Sequence, residues 1–482
     1  MTQSVKTIFI NGQWRQASSG VTIDMLCPST GEKIGSICSG DDRDITDAVK
    51  AARNAFEGIW SDTPALERGR YLSRLGQRIL ECVDEIAQLE ACDTGKPLKL
   101  ARNDVLATAR YFEYYGGAAD KIHGETIPFL DGYQVLILRE PRGVAGHIIP
   151  WNYPAQMFGR TIAAALAAGN TAILKPAEEA CLSIVRLFEL ADEIGIPPGV
   201  INLVTGYGET AGAALARSAD IDFLSFTGSP EVGTLVQKAA ADNHVPCVLE
   251  LGGKSPQIVF DDADIEKALP VIVAAIVQNT GQTCSAGSRV LVQRTIYEEF
   301  VSALAKRFNA VRVGSHDADL DCGPLISAVQ RDRVQEFLDR ANADGIPMIG
   351  QGKLDVSAFN TGYYVKPTLF GPVQETHELA QEEVFGPVLA AIPFDDEEHA
   401  IKIANGTEFG LIAGIWTENG ARQMRLAKKL RVGQVYINGY GAGGGIELPF
   451  GGFKRSGHGR EKGFEALKEY TVAKTIVINH KS

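Results

Sequence analysis

Between residues 144 and 251, short apolar runs alternate with stretches in which apolar residues recur every three or four positions. The runs 144–149, 171–175, 200–204, 222–226 and 247–251 read as strands. The intervening stretches 154–168 and 181–194 read as helices, the second closed by Gly195 and the pair Pro197-Pro198. Further helices are expected from Glu209 and from Pro230. This alternation predicts parallel strands joined by crossover helices, the open twisted sheet of nucleotide-binding domains. Ligands of such sheets sit beyond the strand C-terminal ends. After Gly253 a second unit begins, with a helix at 265–278, a strand at 289–293, a helix at 296–311 and further alternation through 435–438. The predicted fold class is therefore α/β, a Rossmann-like domain followed by a second α/β domain, with a cleft between them.

The N-terminal part is less regular. Strands are expected at 8–10 and 21–25, and a helix from Asp44, where Ile45, Val49, Ala52 and Phe56 keep helical spacing. A second helix begins at Pro64 and carries its pattern through Leu72, Leu75, Ile79 and Val83. Another covers 101–115. Residues 116–139 break the pattern, punctuated by Gly124, Pro128 and Gly132, with a strand-like run at 135–138. Residues 471–478 form a second strand with no obvious sheet to join. Unpartnered strands seek another edge, within the chain or on a second subunit.

Composition narrows the functional classes. The chain of 482 residues is too long for one core. A net charge of −12 argues against nucleic acid and anionic membranes as partners. The eight cysteines form no CxxC pair and read as thiols of a reducing, cytoplasmic compartment. No basic, then apolar, leader opens the sequence, and the apolar run 269–277 is far short of a membrane span. The histidines show no HExxH spacing, so neither a zinc or other metal site nor a cysteine–histidine hydrolase is indicated.

Candidate chemistry gathers at strand ends and glycine turns. Cys284 lies in QNTGQTCSAGSR, among small and polar residues that let a substrate approach. It is either an inert small hydrophobe or a nucleophile whose thiolate is held by its surroundings. Asn152, between two prolines and two aromatics in PWNYP, is a fixed amide suited to holding an oxyanion. Glu250 ends a strand among Val248, Leu249 and Leu251, so desolvation should raise its pKa towards that of a general base at neutral pH. The turn 226–233 carries Gly228, Gly233 and a Ser229-Pro230 helix start whose free amides could face a pyrophosphate. The glycines of 206–212 match GxGxxG only loosely, and 253–255 lacks the first glycine of a P-loop. Lys175 and Glu178 follow a strand end, where a carboxylate can accept bonds from ribose hydroxyls.

Taken in order, PWNYP, KPAE, FTGS, LELGGKSP, GQTCSAGSR, EEVFGP and PFGGFKRSGHGRE resemble the motifs of the aldehyde dehydrogenase superfamily, over essentially the whole chain. The resemblance implies Cys284 as nucleophile, Asn152 with the Cys284 amide as oxyanion hole, and Glu250 as base. It also implies NAD, with NADP possible, held by Lys175 and Glu178 at the adenosine ribose, Ser229 at the pyrophosphate and Glu383 at the nicotinamide ribose. Phe385 would lie near the nicotinamide, and Trp151, Gly228, Gly233 and Leu251 belong to the same cofactor-side motifs. The implied reaction is thiolate attack on an aldehyde, hydride transfer from the tetrahedral adduct, and thioester hydrolysis to a carboxylate. Glu250 argues against the CoA-acylating branch. The implied organisation is a cofactor domain (1–118 and 141–251), a catalytic domain (252–453) and an oligomerisation arm (119–140 and 465–482) of a homodimer or homotetramer. The run YGAGGGIEL at 440–448 would flank the aldehyde entrance. Its four glycines suggest a roomy mouth for bulky or aromatic aldehydes, whereas Glu447 would favour amino- or betaine-aldehydes if it is not simply a solvated loop carboxylate. A fold relative that binds without turnover, and a cysteine hydrolase, are the alternatives.

Overall fold

The computed structural model describes residues 5–355, 362–441 and 445–481. An eight-stranded sheet has at its centre, in spatial order, Cys247–Glu250, Phe223–Thr227, Val144–Ile149, Thr171–Pro176 and Ile201–Leu203. These strands are parallel. Their residues are buried almost throughout, which is why the runs read as continuously apolar rather than alternating. Chain order reverses between Val144–Ile149 and Phe223–Thr227, so a crevice opens beyond Ile149 and Thr227. Ile8–Ile10 and, at the edge, Gln13–Arg15 close one side of the sheet and Gly457–His458 the other, all antiparallel.

A seven-stranded sheet follows, in the order Met348–Gln351, Thr368–Phe370, Val388–Phe394, Arg289–Gln293, Pro256–Val259, Ile412–Trp416 and Gln434–Ile437. All its pairings are parallel except that of Met348–Gln351. This sheet turns the N-terminal ends of its strands towards the crevice of the first: Gly252, Cys284, Glu383 and Phe385, which precede three of them, line the same cavity as residues 150–152 and 227–229. The strand-end rule thus holds for the first sheet and is inverted in the second.

Several expectations shift. The first long helix starts at Asp42, because Asp41 and Asp44 form a reciprocal capping box around it. The pattern running from Pro64 to Val83 belongs to two helices, Ala65–Glu81 and Val83–Thr94, which break at Cys82. Gly116 does not end a helix but lies within Leu98–Ala118. It is needed there for contact: a Cβ on Gly116 would stand 2.7 Å from Ser73 Oγ and 2.9 Å from the Gly69 carbonyl oxygen of the neighbouring helix. The segment at Glu209 is a π-turn, Gly208–Gly212, leading into the short helix Ala213–Arg217. The two unpartnered strands find each other: Thr471–Asn479 pairs antiparallel with Tyr133–Pro141 along its full length, with Glu125–Ile127 beyond.

Candidate active site

Cys284 sits on a loop held from every side. The helix Ile265–Val277 delivers it, and Asn279, Thr280 and Gly281 then take successive positive φ angles of 46°, 56° and 73°. Two of these are non-glycine residues in the left-handed region, a strain that surrounding contacts must hold. The contacts are specific. Thr280 Oγ1 donates to the Gly323 carbonyl (2.9 Å), and Gln282 Oε1 accepts from Ile326 N (2.9 Å). Thr283 Oγ1 meets the Tyr153 hydroxyl (2.7 Å), and Tyr440 donates to the Ser285 carbonyl (2.7 Å). A Cβ on Gly281 would fall 2.2 Å from the Gly386 backbone, so the EEVFGP segment rests directly on this loop.

Asn152 follows the strand Val144–Ile149 and reaches across the crevice to the cysteine loop, where its Nδ2 donates to the Gln282 carbonyl (3.0 Å). One Nδ2 hydrogen remains for another acceptor. The Asn152 carbonyl accepts from Lys96 Nζ (3.0 Å) and Asn279 Nδ2 (3.0 Å). Lys96 is itself buried between Glu90 (3.1 Å) and Asp104 (2.5 Å), so the amide stands on a satisfied polar network.

Glu250 ends the strand Cys247–Glu250, almost fully buried. Neither carboxyl oxygen has a hydrogen-bond partner among the described residues, and its ion pair is with Arg160 at 3.6 Å. Arg160 also pairs with Glu461, which accepts a bond from Ser225 (2.7 Å). Burial pushes the Glu250 carboxyl well above its usual range, with Arg160 opposing and Glu461 adding to the rise. The sequence reading did not reach Arg160, Glu461, Lys96, Asn279 or Tyr153. One signal was available: Arg160 is the lone charge in PAQMFGRTIAAALA, a helix buried on nearly every face.

Cys284 differs from the simplest picture of an activated thiol. Burial pushes its pKa up to about 12, with Arg160 pulling down and Glu383 and Glu250 pushing further up. The protonated thiol is therefore the resting form at neutral pH. Alkylation of Cys284 by iodoacetamide in the cofactor-free protein should be slower at pH 7 than that of free cysteine. It should climb about tenfold per pH unit through the alkaline range. A plateau reached at neutral pH, read by peptide mass spectrometry, would contradict this.

Two cavities meet at Cys284. The first, about 400 Å³, opens at the crevice of the first sheet and is lined by Trp151, Asn152, Gly228, Ser229, Glu250, Glu383 and Phe385. Trp151 and Phe385 stand edge to face (centroids 5.4 Å apart) across the gap between the two sheets. Ser229 caps the helix Pro230–Ala241, accepting from Val232 N (3.3 Å), and directs that helix N-terminus at the cavity. The Thr227 hydroxyl, also on the wall, is buried without a hydrogen-bond partner among the described residues. Glu383 accepts from Gly253 N (2.9 Å), and burial raises its pKa to about 7. A helix N-terminus, an unpartnered hydroxyl and two carboxylates at a strand-order reversal fit a pyrophosphate-bearing dinucleotide.

The remaining predicted cofactor residues lie off this wall. Gly233 and Leu251 pack against each other beneath it: a Cβ on Gly233 would stand 2.6 Å from Leu251 Cδ2. Lys175 and Glu178 form an ion pair (2.9 Å) at the end of the next strand, Thr171–Pro176, with Glu178 also accepting from Gly208 N (3.4 Å). That bond puts the loosely matching glycine segment beside the same strand end. Lys254 precedes a strand and not a helix, in line with rejecting a P-loop there.

The second cavity, about 570 Å³, lies on the other side of Cys284. Leu106, Tyr153, Met157, Tyr436, Ile446 and Phe450 supply apolar and aromatic surface, and Gly441 and Gly445 belong to its rim. Gly443 and Gly444 lie outside the described residues. Its charged lining is mostly positive: Lys96, Arg110, Arg160 and Lys462 against Asp104, which Lys96 already engages. Glu447 does not face this space. It is half-exposed and tied to Arg110 at 2.7 Å, the solvated loop carboxylate of the two readings offered for it.

A doubly wound sheet with a dinucleotide-shaped crevice, set against a second sheet that brings a half-buried cysteine to the same point, defines the class: an α/β protein of two large sheets built to hold a nucleotide beside a thiol. Comparison with known proteins gives the family. The sequence profile of the aldehyde dehydrogenase family matches residues 14–476, and the chain belongs to that family. It is an NAD(P)-dependent aldehyde dehydrogenase. The chain is 44% identical to aldehyde dehydrogenase 1 of Tanacetum cinerariifolium over 97% of its own length and 94% of that protein's. Its fold superposes on a crystal structure of a putative aldehyde dehydrogenase from Burkholderia cenocepacia with a TM-score of 0.98, at 60% identity, covering 98% of this chain and 100% of the other. The NAD+ complex of an aldehyde dehydrogenase from Bacillus cereus superposes with a TM-score of 0.96 at 42% identity, over 99% and 97% of the two chains. No helix among the described residues is long and apolar enough to cross a membrane.

Proposed function

We propose that this chain oxidises bulky or aromatic aldehydes to carboxylates, with Cys284 as nucleophile, Asn152 as oxyanion donor and Glu250 as deacylating base. The observation that carries the reading is the position of Cys284 between a cofactor-shaped cavity and an apolar one. An aldehyde entering from the apolar side meets the thiol, which gives its proton to solvent as sulfur bonds to the carbonyl carbon and the carbonyl π-electrons move to oxygen. The free Nδ2 hydrogen of Asn152 and the Cys284 backbone amide receive the oxygen as it becomes an alkoxide. A donor of this kind is worth about 3–4 kcal/mol in barrier. The chemistry a nicotinamide cofactor supplies when bound is acceptance of a hydride. Glu250 takes a proton from water so that hydroxide attacks the thioester and frees the sulfur. Ser229, Glu383, Trp151 and Phe385 would hold the cofactor in the first cavity. Lys175 and Glu178 would hold its adenosine end, the Glu178 carboxylate favouring a free ribose hydroxyl and hence NAD.

Charge and shape of the second cavity support the substrate class. Three aromatic rings, Tyr153, Tyr436 and Phe450, line it. Arg160 and Lys462 already stack on the Phe450 ring, at 4.7 and 5.2 Å. Lys96, Arg110 and Arg160 are each paired with carboxylates, so the described lining offers an ammonium group no unpaired anion, and Glu447 gives no counter-charge inside. kcat/KM measured across aromatic, short aliphatic and amino-aldehydes tests this. The aromatic aldehydes should exceed the amino-aldehydes by at least about tenfold. A win for short aliphatic or cationic aldehydes sinks the assignment.

The three-stranded sheet supports oligomerisation, since Thr471–Asn479 pairs on one side only among the described residues and exposes Val472, Val477 and Ile478. A second copy of the chain, as homodimer or homotetramer, is its proposed partner. The division into 1–118 with 141–251, 252–453, and 119–140 with 465–482 follows the eight-stranded sheet, the seven-stranded sheet and the sheet of Glu125–Ile127, Tyr133–Pro141 and Thr471–Asn479. Gly457–His458 adds a segment beyond residue 453 to the first. A cytoplasmic location accords with cysteines that are all free.

A further inference from the structure

Outside the lining of both cavities, three sulfur and nitrogen ligands converge. Sγ of Cys27, Sγ of Cys92 and a ring nitrogen of His316 lie within 4.8 Å of one another, Cys27 buried and the other two half-buried. We propose that Cys27, Cys92 and His316 form a zinc site that ties the two lobes of the molecule together behind the cysteine loop. The histidine and cysteine spacings that argued against a metal have no bearing here, since Cys27 and His316 are 289 positions apart.

The geometry suits a tetrahedral ion. Bonds of about 2.3 Å to sulfur and about 2.0 Å to nitrogen set ligand-to-ligand edges between about 3.3 and 3.8 Å. Cys27 Sγ already stands 3.9 Å from His316 Nδ1. Closing the remaining gaps takes small side-chain rotations, and the half-exposed side leaves a fourth position for water. Two thiols and an imidazole are donors that select zinc over magnesium or calcium.

The backbones behind these ligands are fixed. The Cys27 carbonyl accepts from Thr30 N (3.1 Å) and Gly31 N (2.7 Å) in a tight turn between the strands Thr22–Leu26 and Lys33–Cys38. Cys92 projects from the helix Val83–Thr94. Ser29 Oγ accepts from His316 N (3.1 Å), while the His316 carbonyl accepts from Leu98 N (3.1 Å); the further contact of Ser29 Oγ with His316 Nδ1 (2.9 Å) is one that a metal bound at that nitrogen displaces. These bonds form without a metal, so the segments that carry the ligands are in place before an ion arrives. The same two segments lead to the active site. The helix runs on to Lys96, which holds the Asn152 carbonyl, and the His316 loop runs on to Gly323, which holds Thr280.

The test uses the full chain with its thiols reduced, stripped of metal and titrated with Zn2+ or Co2+. One ion should bind per chain. Bound Co2+ should show thiolate-to-cobalt charge transfer and tetrahedral d–d bands. Cys92→Ser and His316→Ala should each weaken binding by at least about tenfold, whereas Cys284→Ser should not change it. Zn2+ should raise the thermal midpoint of the wild type but not of Cys92→Ser. Circular dichroism for all three variants, and retained aldehyde oxidation for Cys92→Ser and His316→Ala, establish that they are folded. Absence of bound metal with Cys27 and Cys92 reduced overturns the proposal, as do an octahedral cobalt spectrum or binding that survives Cys92→Ser and is lost in Cys284→Ser. None of these outcomes depends on the catalytic roles assigned above.

Discussion

Replacing Cys284 with serine is expected to cut aldehyde-dependent NAD reduction by at least about a thousandfold. The change removes one polarisable nucleophile and little else. A serine hydroxyl at this point has no partner to activate it, because no histidine lines either cavity among the described residues. The loop itself is fixed by the neighbours Gln282, Thr283 and Ser285 and by packing of the Cys284 carbonyl against Gly253, not by the thiol. The variant should therefore keep its thermal midpoint and its affinity for NAD while losing turnover. Parental rates in a Cys284→Ser protein would remove the covalent route altogether.

Glu250→Gln is expected to separate the two halves of the reaction. The substitution keeps shape and leaves Arg160 paired with Glu461, so the buried network survives. Without a base to activate water, the thioester should accumulate: NADH should appear in a rapid burst of one per active site, followed by turnover slowed by at least about a hundredfold. The raised pKa of Glu250 adds a pH signature. A carboxyl whose pKa is raised becomes a base only as pH climbs past that raised value. Wild-type kcat should therefore rise with pH above the ordinary carboxyl range, and Glu250→Gln should lose that rise. Slow turnover with no burst would move Glu250 to a step before acylation.

Much of this was readable from the chain because each feature had a local cause. Buried parallel strands leave unbroken apolar runs, and Ser229-Pro230 is a complete helix start in two residues. What escaped was set by distance. Gly116 looks like a helix stop until Gly69 is seen beneath it, and Cys82 splits one apolar pattern between two helices whose spacing happens to continue. In the site, the residues called catalytic sit at strand ends and could be singled out, whereas Arg160, Glu461 and Lys96 act through partners far along the chain. Cys284 shows the limit most clearly. Its small neighbours suggested an accessible, activated thiol; it is reached from two cavities, but desolvation between the two facing sheets raises its pKa. The grouping of Cys27, Cys92 and His316 had no local trace at all.

The most direct measurement is the mass of the Cys284 peptide from Glu250→Gln protein quenched in acid after mixing with NAD and an aromatic aldehyde. Its expected mass is that of the peptide plus the acyl group of the aldehyde, on Cys284 and on no other cysteine, in step with the NADH burst. An unmodified Cys284 peptide recovered at the height of that burst would contradict the account.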